Sequence, residues 1–230
     1  MSRSFALILA LARRIVKIVS TETRNYYYDQ QWRSIEERVA GFVKAQYVWS
    51  PSDRWTMIRR KRSVDDTLDE TRFVLKEYLD PAAIVSTAGT VEERFSYDAF
   101  GPVRFLDASF VPLPGNTSAC AWNFLFHAEF IDAESGLYNY GFRFYHPYLG
   151  RWLSRDPIEE EGGANLYAMI NNSLMEFDFL GLYPYNKGIK LTDKDLPGYP
   201  ESGHNPVVPY VEVGCSMIRR YVLIDAECQA

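Results

Sequence analysis

The stretch from Phe130 to Leu182 constrains this chain most, because it packs aromatic alternation, turn residues and carboxylates into about fifty positions. From Leu137 to Tyr145, Tyr138, Tyr140, Phe142 and Phe144 fall on one side of a two-residue period. Leu137, Asn139, Arg143 and Tyr145 fall on the other. An aromatic-rich period of two predicts a strand. Pro147-Tyr148-Leu149-Gly150 then supplies a fixed φ and a residue that tolerates φ > 0, so the chain can turn back. Arg151-Trp152-Leu153 is the expected return strand, with Trp152 covering the aromatic face. An acidic, Gly-rich loop and a short helix are expected to follow.

Upstream, the same grammar recurs in weaker form. Tyr26-Tyr27-Tyr28-Asp29, then Phe42 to Trp49, then Val91 to Gly101 with its Tyr97-Asp98 pair, each read as strand, turn, strand. The Asp can accept a hydrogen bond from the backbone two residues on, while the aromatic packs over the neighbouring turn. Asp29-Gln30-Gln31 lacks the glycine expected in such a turn. Thr71 to Glu77 and Ala83 to Val85 are further expected strands. With three or four such units visible, the sequence predicts a small sheet whose outer edge lies at about residue 25, prone to pairing and association.

Residues 1–24 differ from the rest, with five basic residues and one acidic. Ile8, Leu11, Ile15 and Ile18 are spaced for one face of a helix. This predicts either a basic amphipathic segment with weak membrane-surface contact or a leader; Arg13, Arg14 and Lys17 stand where a signal peptide's cleavage site belongs. Arg59-Arg60-Lys61-Arg62, followed by Asp65, Asp66, Asp69 and Glu70, reads as a solvated loop of interspersed charge. Those carboxylates lack the spacing and central glycine of a calcium loop. A net charge of −5 argues against nucleic acid as a partner. No run approaches the ~20 apolar residues of a membrane-spanning helix. His127, His146 and His204 show no metal-ligand spacing, and no metal or cofactor is expected. Cys120, Cys215 and Cys228 show no disulfide-dense pattern, so reduced thiols are the default, with a Cys215–Cys228 bridge open if the chain is exported.

The motifs carry a resemblance. Asp132-Ala133-Glu134-Ser135-Gly136-Leu137-Tyr138, Arg143-Phe144-Tyr145, Pro147, Gly150-Arg151-Trp152-Leu153-Ser154, Asp156-Pro157-Ile158, Gly162-Gly163, Asn165-Leu166-Tyr167, Asn171-Asn172 and Gly181-Leu182 follow one another with a characteristic spacing. In this the chain resembles the RHS repeat-associated core of bacterial RHS/YD-repeat proteins and Tc-toxin C subunits. Weaker similarity reaches back to about Asn25. The resemblance implies a mainly β fold of antiparallel YD-repeat hairpins in a curved sheet, with a short helix in the core segment and an irregular tail. It divides the chain into 1–24, degenerate repeats at 25–129, the core at 130–182 and a variable tail at 183–230.

Three functions follow as expectations. The first is a structural β-repeat module of a polymorphic-toxin or cell-surface protein, truncated or degenerate, whose partners are upstream repeats or its own C-terminal segment. In full-length relatives a β-strip encloses C-terminal cargo, and the compartment is secreted or cell-surface there, cytoplasmic otherwise. The second is an aspartyl autoprotease. The resemblance assigns Asp156, Asp178 and Arg143 to catalysis and Leu182–Tyr183 to the scissile bond. Two departures adjoin that element: Phe179 stands where the family has proline after Asp178, and Ser173 stands where it has proline after Asn171-Asn172. The third is a small effector acting through its tail or its basic N-terminus.

Overall fold

The computed structural model describes residues 4–9, 13–63, 67–162, 164–169, 176–178, 180–181 and 184–186. Its dominant element is one antiparallel sheet in which every strand pairs with its sequence neighbour. The ten strands are β1 (Ser4–Leu9), β2 (Arg13–Val19), β3 (Glu22–Tyr28), β4 (Ser34–Val39), β5 (Phe42–Trp49), β6 (Met57–Arg62), β7 (Glu70–Glu77), β8 (Asp80–Ser86), β9 (Val91–Tyr97) and β10 (Val103–Asp107). Four short strands form a second sheet: β11 (Phe130–Asp132), β12 (Leu137–Asn139), β13 (Phe144–His146) and β14 (Arg151–Trp152). β15 (Glu176–Asp178) and β16 (Pro184–Asn186) pair with each other. The fold is mainly β, and among the described residues of the core segment the helical content is a 3-10 turn at Glu159–Gly162.

Turn chemistry explains the meander. Asp29–Trp32, Ser86–Gly89, Asp98–Gly101 and Asp107–Phe110 are the same four-residue turn. In each, the fourth residue's N–H donates to the first carbonyl, and the first N–H donates to the carbonyl just beyond the turn. The fourth residue has positive φ every time: Trp32 at 65°, Gly89 at 81°, Gly101 at 87° and Phe110 at 68°. Asp29 Oδ1 accepts from the Gln31 N–H at 2.9 Å, and Asp107 Oδ1 from Ser109 at 2.8 Å. That is the bond two residues on that the motif predicts. Where the first turn lacks glycine, Trp32 accepts the strained conformation because its ring stacks on Phe142 and lies 4.5 Å from the Arg13 guanidinium.

The sheet is larger than the visible units imply, and three local expectations are corrected. Residues 13–19 form a strand rather than an amphipathic helix, since Ile15, Val16, Ile18 and Val19 are β-branched and favour extended backbone. The basic face expected of that segment is turned inward: Arg14 and Lys17 are buried and both bond Asp132, at 2.5 and 2.6 Å. Residue 25 lies in β3, paired on both sides, so it is no edge; β1 and β10 are the outer strands. Arg59 to Arg62 lie in β6 rather than in a loop, where the pleat sends Arg60 into the core.

Residues 118–132 cross the inner face of the large sheet, and its buried charges hold them there. Arg60 donates to the carbonyls of Cys120 and Ala121 at 2.7 Å and lies 4.6 Å from the Trp122 ring. Fully buried Glu93 accepts from the Cys120 N–H and the Ser118 hydroxyl, each at 2.9 Å. Around these anchors one aromatic core joins both sheets, with Tyr47, Trp49, Phe124 and Phe130 in edge-to-face contact. Tyr138 and Tyr145 reach back from the small sheet to the Gly101 and Phe100 carbonyls, at 3.0 Å each.

Two outcomes are expected. Asp132→Ala takes the carboxylate from buried Arg14 and leaves Lys17 with Glu134 alone, and should cost about 3–5 kcal/mol in urea unfolding at pH 7. The β4–β5 hairpin turns on Ala40 and Gly41, both at positive φ, the geometry that favours Asn-Gly. Ala40→Asn should therefore raise the unfolding free energy by about 0.5–1 kcal/mol.

Candidate active site

The expected single strand from Leu137 to Tyr145 is interrupted, and the interruption builds the site. Gly141, at φ 100°, bends the chain so that β12 and β13 pair with each other. The bend shifts the pleat: Tyr138, Tyr140, Arg143 and Tyr145 are buried, whereas Phe142 and Phe144 are only partly so. The expected grouping of Tyr138 and Tyr140 with Phe142 and Phe144 does not hold, because a turn resets the two-residue period. The hairpin between β13 and β14 forms as predicted, and Trp152 covers the aromatic face, edge-on to Tyr140 and Tyr145.

Arg143, 2% exposed, is the hub. Nη1 lies 2.9 Å from Asp156 Oδ2, and Nη2 lies 2.8 Å from Asp178 Oδ2. Nε donates to the Gly181 carbonyl at 2.5 Å, and Nη1 also donates to the Leu166 carbonyl at 3.3 Å. The guanidinium plane sits 4.4 Å from the Trp152 ring. Burial pulls Arg143 below its usual value, against the opposing pull of Asp178 and then Asp156. A guanidinium nonetheless keeps its charge in proteins. One cation thus sits between two buried carboxylates.

Each partner is locally fixed. Asp156 donates its N–H to the Leu166 carbonyl at 3.0 Å, and its Oδ1 caps the next turn through the Ile158 N–H at 3.0 Å. Asp178 ends β15, opposite Pro184 of β16. The chain therefore reverses between Asp178 and Pro184. The Phe142 N–H donates to the Leu180 carbonyl at 3.0 Å. Gly181, at φ 74°, lies so close to Arg143 that an added Cβ would meet its Cβ and backbone N at 3.1 Å. Glycine relieves both that crowding and the strain of the left-handed backbone. Phe179, Leu182, Tyr183, Asn171, Asn172, Ser173, His204, Cys215 and Cys228 lie outside the described residues.

Sequence reasoning did not single out Glu129. It follows a turn in which His127 and Ala128 both have positive φ, 55° and 56°. Its own N–H and C=O are held by the Phe126 carbonyl and the Leu125 N–H, at 3.1 and 3.0 Å. Burial drives its carboxyl up to about 8; the Arg54 cation opposes this and the Asp178 charge adds to it. The available signal was an isolated acid among Leu125, Phe126, Ala128 and Phe130. His127 is a core histidine that shares a 3.0 Å contact with the Tyr140 hydroxyl, and burial lowers it to about 4.

No family model matches the chain. It is 53% identical over 51 residues to toxin subunit YenC2 of Yersinia entomophaga, which covers 22% of the chain and 5% of YenC2. It is 30% identical over 142 residues to the probable deoxyribonuclease RhsB of Dickeya dadantii, covering 61% of the chain and 9% of RhsB. The fold matches the crystal structure of TcdB2-TccC3 with a TM-score of 0.58 at 21% identity, over 79% of the chain and 9% of the matched one. The chain is an RHS/Tc-toxin-related protein. Its length corresponds to a small fraction of these relatives.

The Glu129 carboxyl yields a stability prediction. Its value is raised on folding from about 4.5 to about 8, so the folded state binds the proton more tightly than the unfolded. The stability this gives is fully present below pH 4.5 and is lost as pH rises to about 8. Glu129→Gln should therefore gain stability relative to the native chain between pH 5 and 8, levelling off above. Urea unfolding across that range measures the gap.

Proposed function

We propose that the chain is the closing segment of an RHS-type β-shell and that it cuts its own backbone between Leu182 and Tyr183. One observation carries the reading: a buried guanidinium bonds Asp156, Asp178 and the Gly181 carbonyl together. Hydrolysis by paired carboxylates needs one ionised, to take a proton from water, and one protonated, to polarise the carbonyl. A shared cation supports this division by keeping the two acids close while they hold one proton between them. By gripping the carbonyl one residue before the bond, Arg143 supplies positioning as well as charge.

The chemistry is plain hydrolysis. The water O–H breaks, a C–O bond forms at the Leu182 carbonyl carbon, and the C–N bond to Tyr183 breaks. The proton taken from water leaves with the new amine. Nothing else is consumed, so a single turnover in the folded chain suffices.

The large sheet supports the accompanying structural role. It is an open meander ending on β1 and β10, the arrangement that a longer strip of repeats would extend by further strand pairing. Upstream repeats are accordingly the proposed partner.

Intact mass of freshly folded protein tests the reading. The native chain should give a fragment ending at Leu182 and a second starting at Tyr183, while Asp156→Asn and Asp178→Asn should each stay at 26.6 kDa. A native chain that stays whole over days at pH 5–8 would overturn self-cleavage.

A further inference from the structure

A cavity of about 50 Å³ lies between the large sheet and the core segment. Along the sheet its lining residues are Arg14 of β2, Tyr28 of β3, Ser34 of β4 and Trp49 of β5. Bonds between these strands hold that floor in place. Tyr28 pairs with Ser34 and donates its hydroxyl to the Arg14 carbonyl at 2.9 Å, and the Trp49 indole N–H donates to the Ser34 carbonyl at 2.7 Å. Arg14 and Ser34 are 2% and 5% exposed, yet Arg14 Nε and Ser34 Oγ have no hydrogen-bond partner in the protein. Buried polar atoms left unpaired in this way point to a bound water or ion.

The remaining wall is rich in donors and poor in acceptors. Of the described residues lining the cavity, Arg13, Arg14, Arg33 and Arg54 are cations and Glu129 is the one acid. Guanidiniums only donate. Asn139 Oδ1 already accepts from the Gly141 N–H at 3.0 Å, and His127 Nδ1 shares a 3.0 Å contact with the Tyr140 hydroxyl. Arg14 Nη1 bonds Asp132 and Arg33 Nε bonds Asp29, two carboxylates outside the lining. Burial drives the Glu129 carboxyl up to about 8, so it offers the cations little charge at pH 7. Burial lowers Arg54 to about 10; Glu129 and Asp29 oppose this, and the Arg33 and Arg13 charges add to it. The apolar part of the lining has a matching use. The Trp32 ring lies 4.5 Å from the Arg13 guanidinium, and Trp49 and Trp55 lie 5.9 Å from those of Arg33 and Arg54. Indole rings so placed hold the cations in position and lower the local polarity, which strengthens any charge-assisted bond they make.

We propose that this cavity binds one small oxyanion of the sulfate or phosphate class, held at the floor by Ser34 Oγ and Arg14 Nε and at the wall by Arg13, Arg33 and Arg54. A ligand here must accept several hydrogen bonds and carry negative charge, which a water does not. The volume has room for a few oxygen atoms. Glu129, Tyr140 and Leu180 bring the core segment to the other side of the cavity, so the anion bridges that segment and the large sheet. The inference stands on this geometry and is independent of self-cleavage.

The test is calorimetric titration of the full chain with sodium sulfate at pH 7, beside urea unfolding in sulfate and in sodium chloride of equal ionic strength. Sulfate should bind saturably at one site per chain and raise the urea midpoint above its value in chloride, by mass action. Ser34→Ala should weaken sulfate binding at least about tenfold, the worth of a hydrogen bond to a charged group. The same variant should keep the native midpoint in chloride, because Oγ bonds nothing in the protein. Arg54→Gln should weaken binding by at least a similar factor, and Arg54→Lys should recover part of the loss. Absence of a saturable heat, an equal midpoint in chloride and sulfate, or native affinity in either Ser34→Ala or Arg54→Gln would overturn the site.

Discussion

A charge buried in a β-sheet must find a partner, and the inner face of the large sheet carries five such residues: Arg14, Lys17, Glu37, Arg60 and Glu93. Leaving any one unpaired would cost several kcal/mol. Glu37 is satisfied within the sheet by Arg24 and by the Tyr47 hydroxyl at 2.6 Å. The other four bond residues 118–134. The crossing segment is thus held in register by directional bonds, with hydrophobic packing around them. Those bonds decide where β11 lies, and through β11 and β12 where the Gly141 bend and Arg143 come to rest.

Arg143 repeats the principle at the other end of the core. Three separated parts of the chain meet on one planar fork: the turn after β14, the end of β15 and the backbone at Gly181. Trp152 covers one face of that fork, so the cation is desolvated but fully engaged. Lysine at this position would offer a point charge without the planar spread needed to bond two acids and a carbonyl together. The contacts that stabilise the closed core are the same ones on which the proposed self-cleavage rests.

Much of this was legible in the residues. Aromatic alternation and Tyr-Asp turns predict strands and hairpins, and the resemblance groups Arg143, Asp156 and Asp178, which meet in the structure. The errors have a common cause. Ile8, Leu11, Ile15 and Ile18 fit a helical face, and Arg59 to Arg62 look solvated, because a local pattern cannot show a carboxylate or carbonyl a hundred residues away waiting for a cation. Lys17 and Asp132 are 115 positions apart, and Arg60 and Ala121 are 61 apart. Glu129 was missed for the same reason: its unusual proton affinity comes from burial, with the Asp178 charge adding to it and Arg54 opposing it, not from its sequence neighbours.

By itself the sequence determined the local vocabulary: strands from alternating aromatic and β-branched residues, turns from Asp, Ser and Gly, and the close approach that Gly181 permits. These depend on backbone sterics and short-range hydrogen bonds, which act within a few residues. Only the tertiary structure decided which charges are buried, which pleat faces inward after Gly141, and that Arg143 holds two aspartates and a carbonyl at once. Those outcomes depend on desolvation and long-range pairing, and such energies exist only once distant segments have been brought into contact.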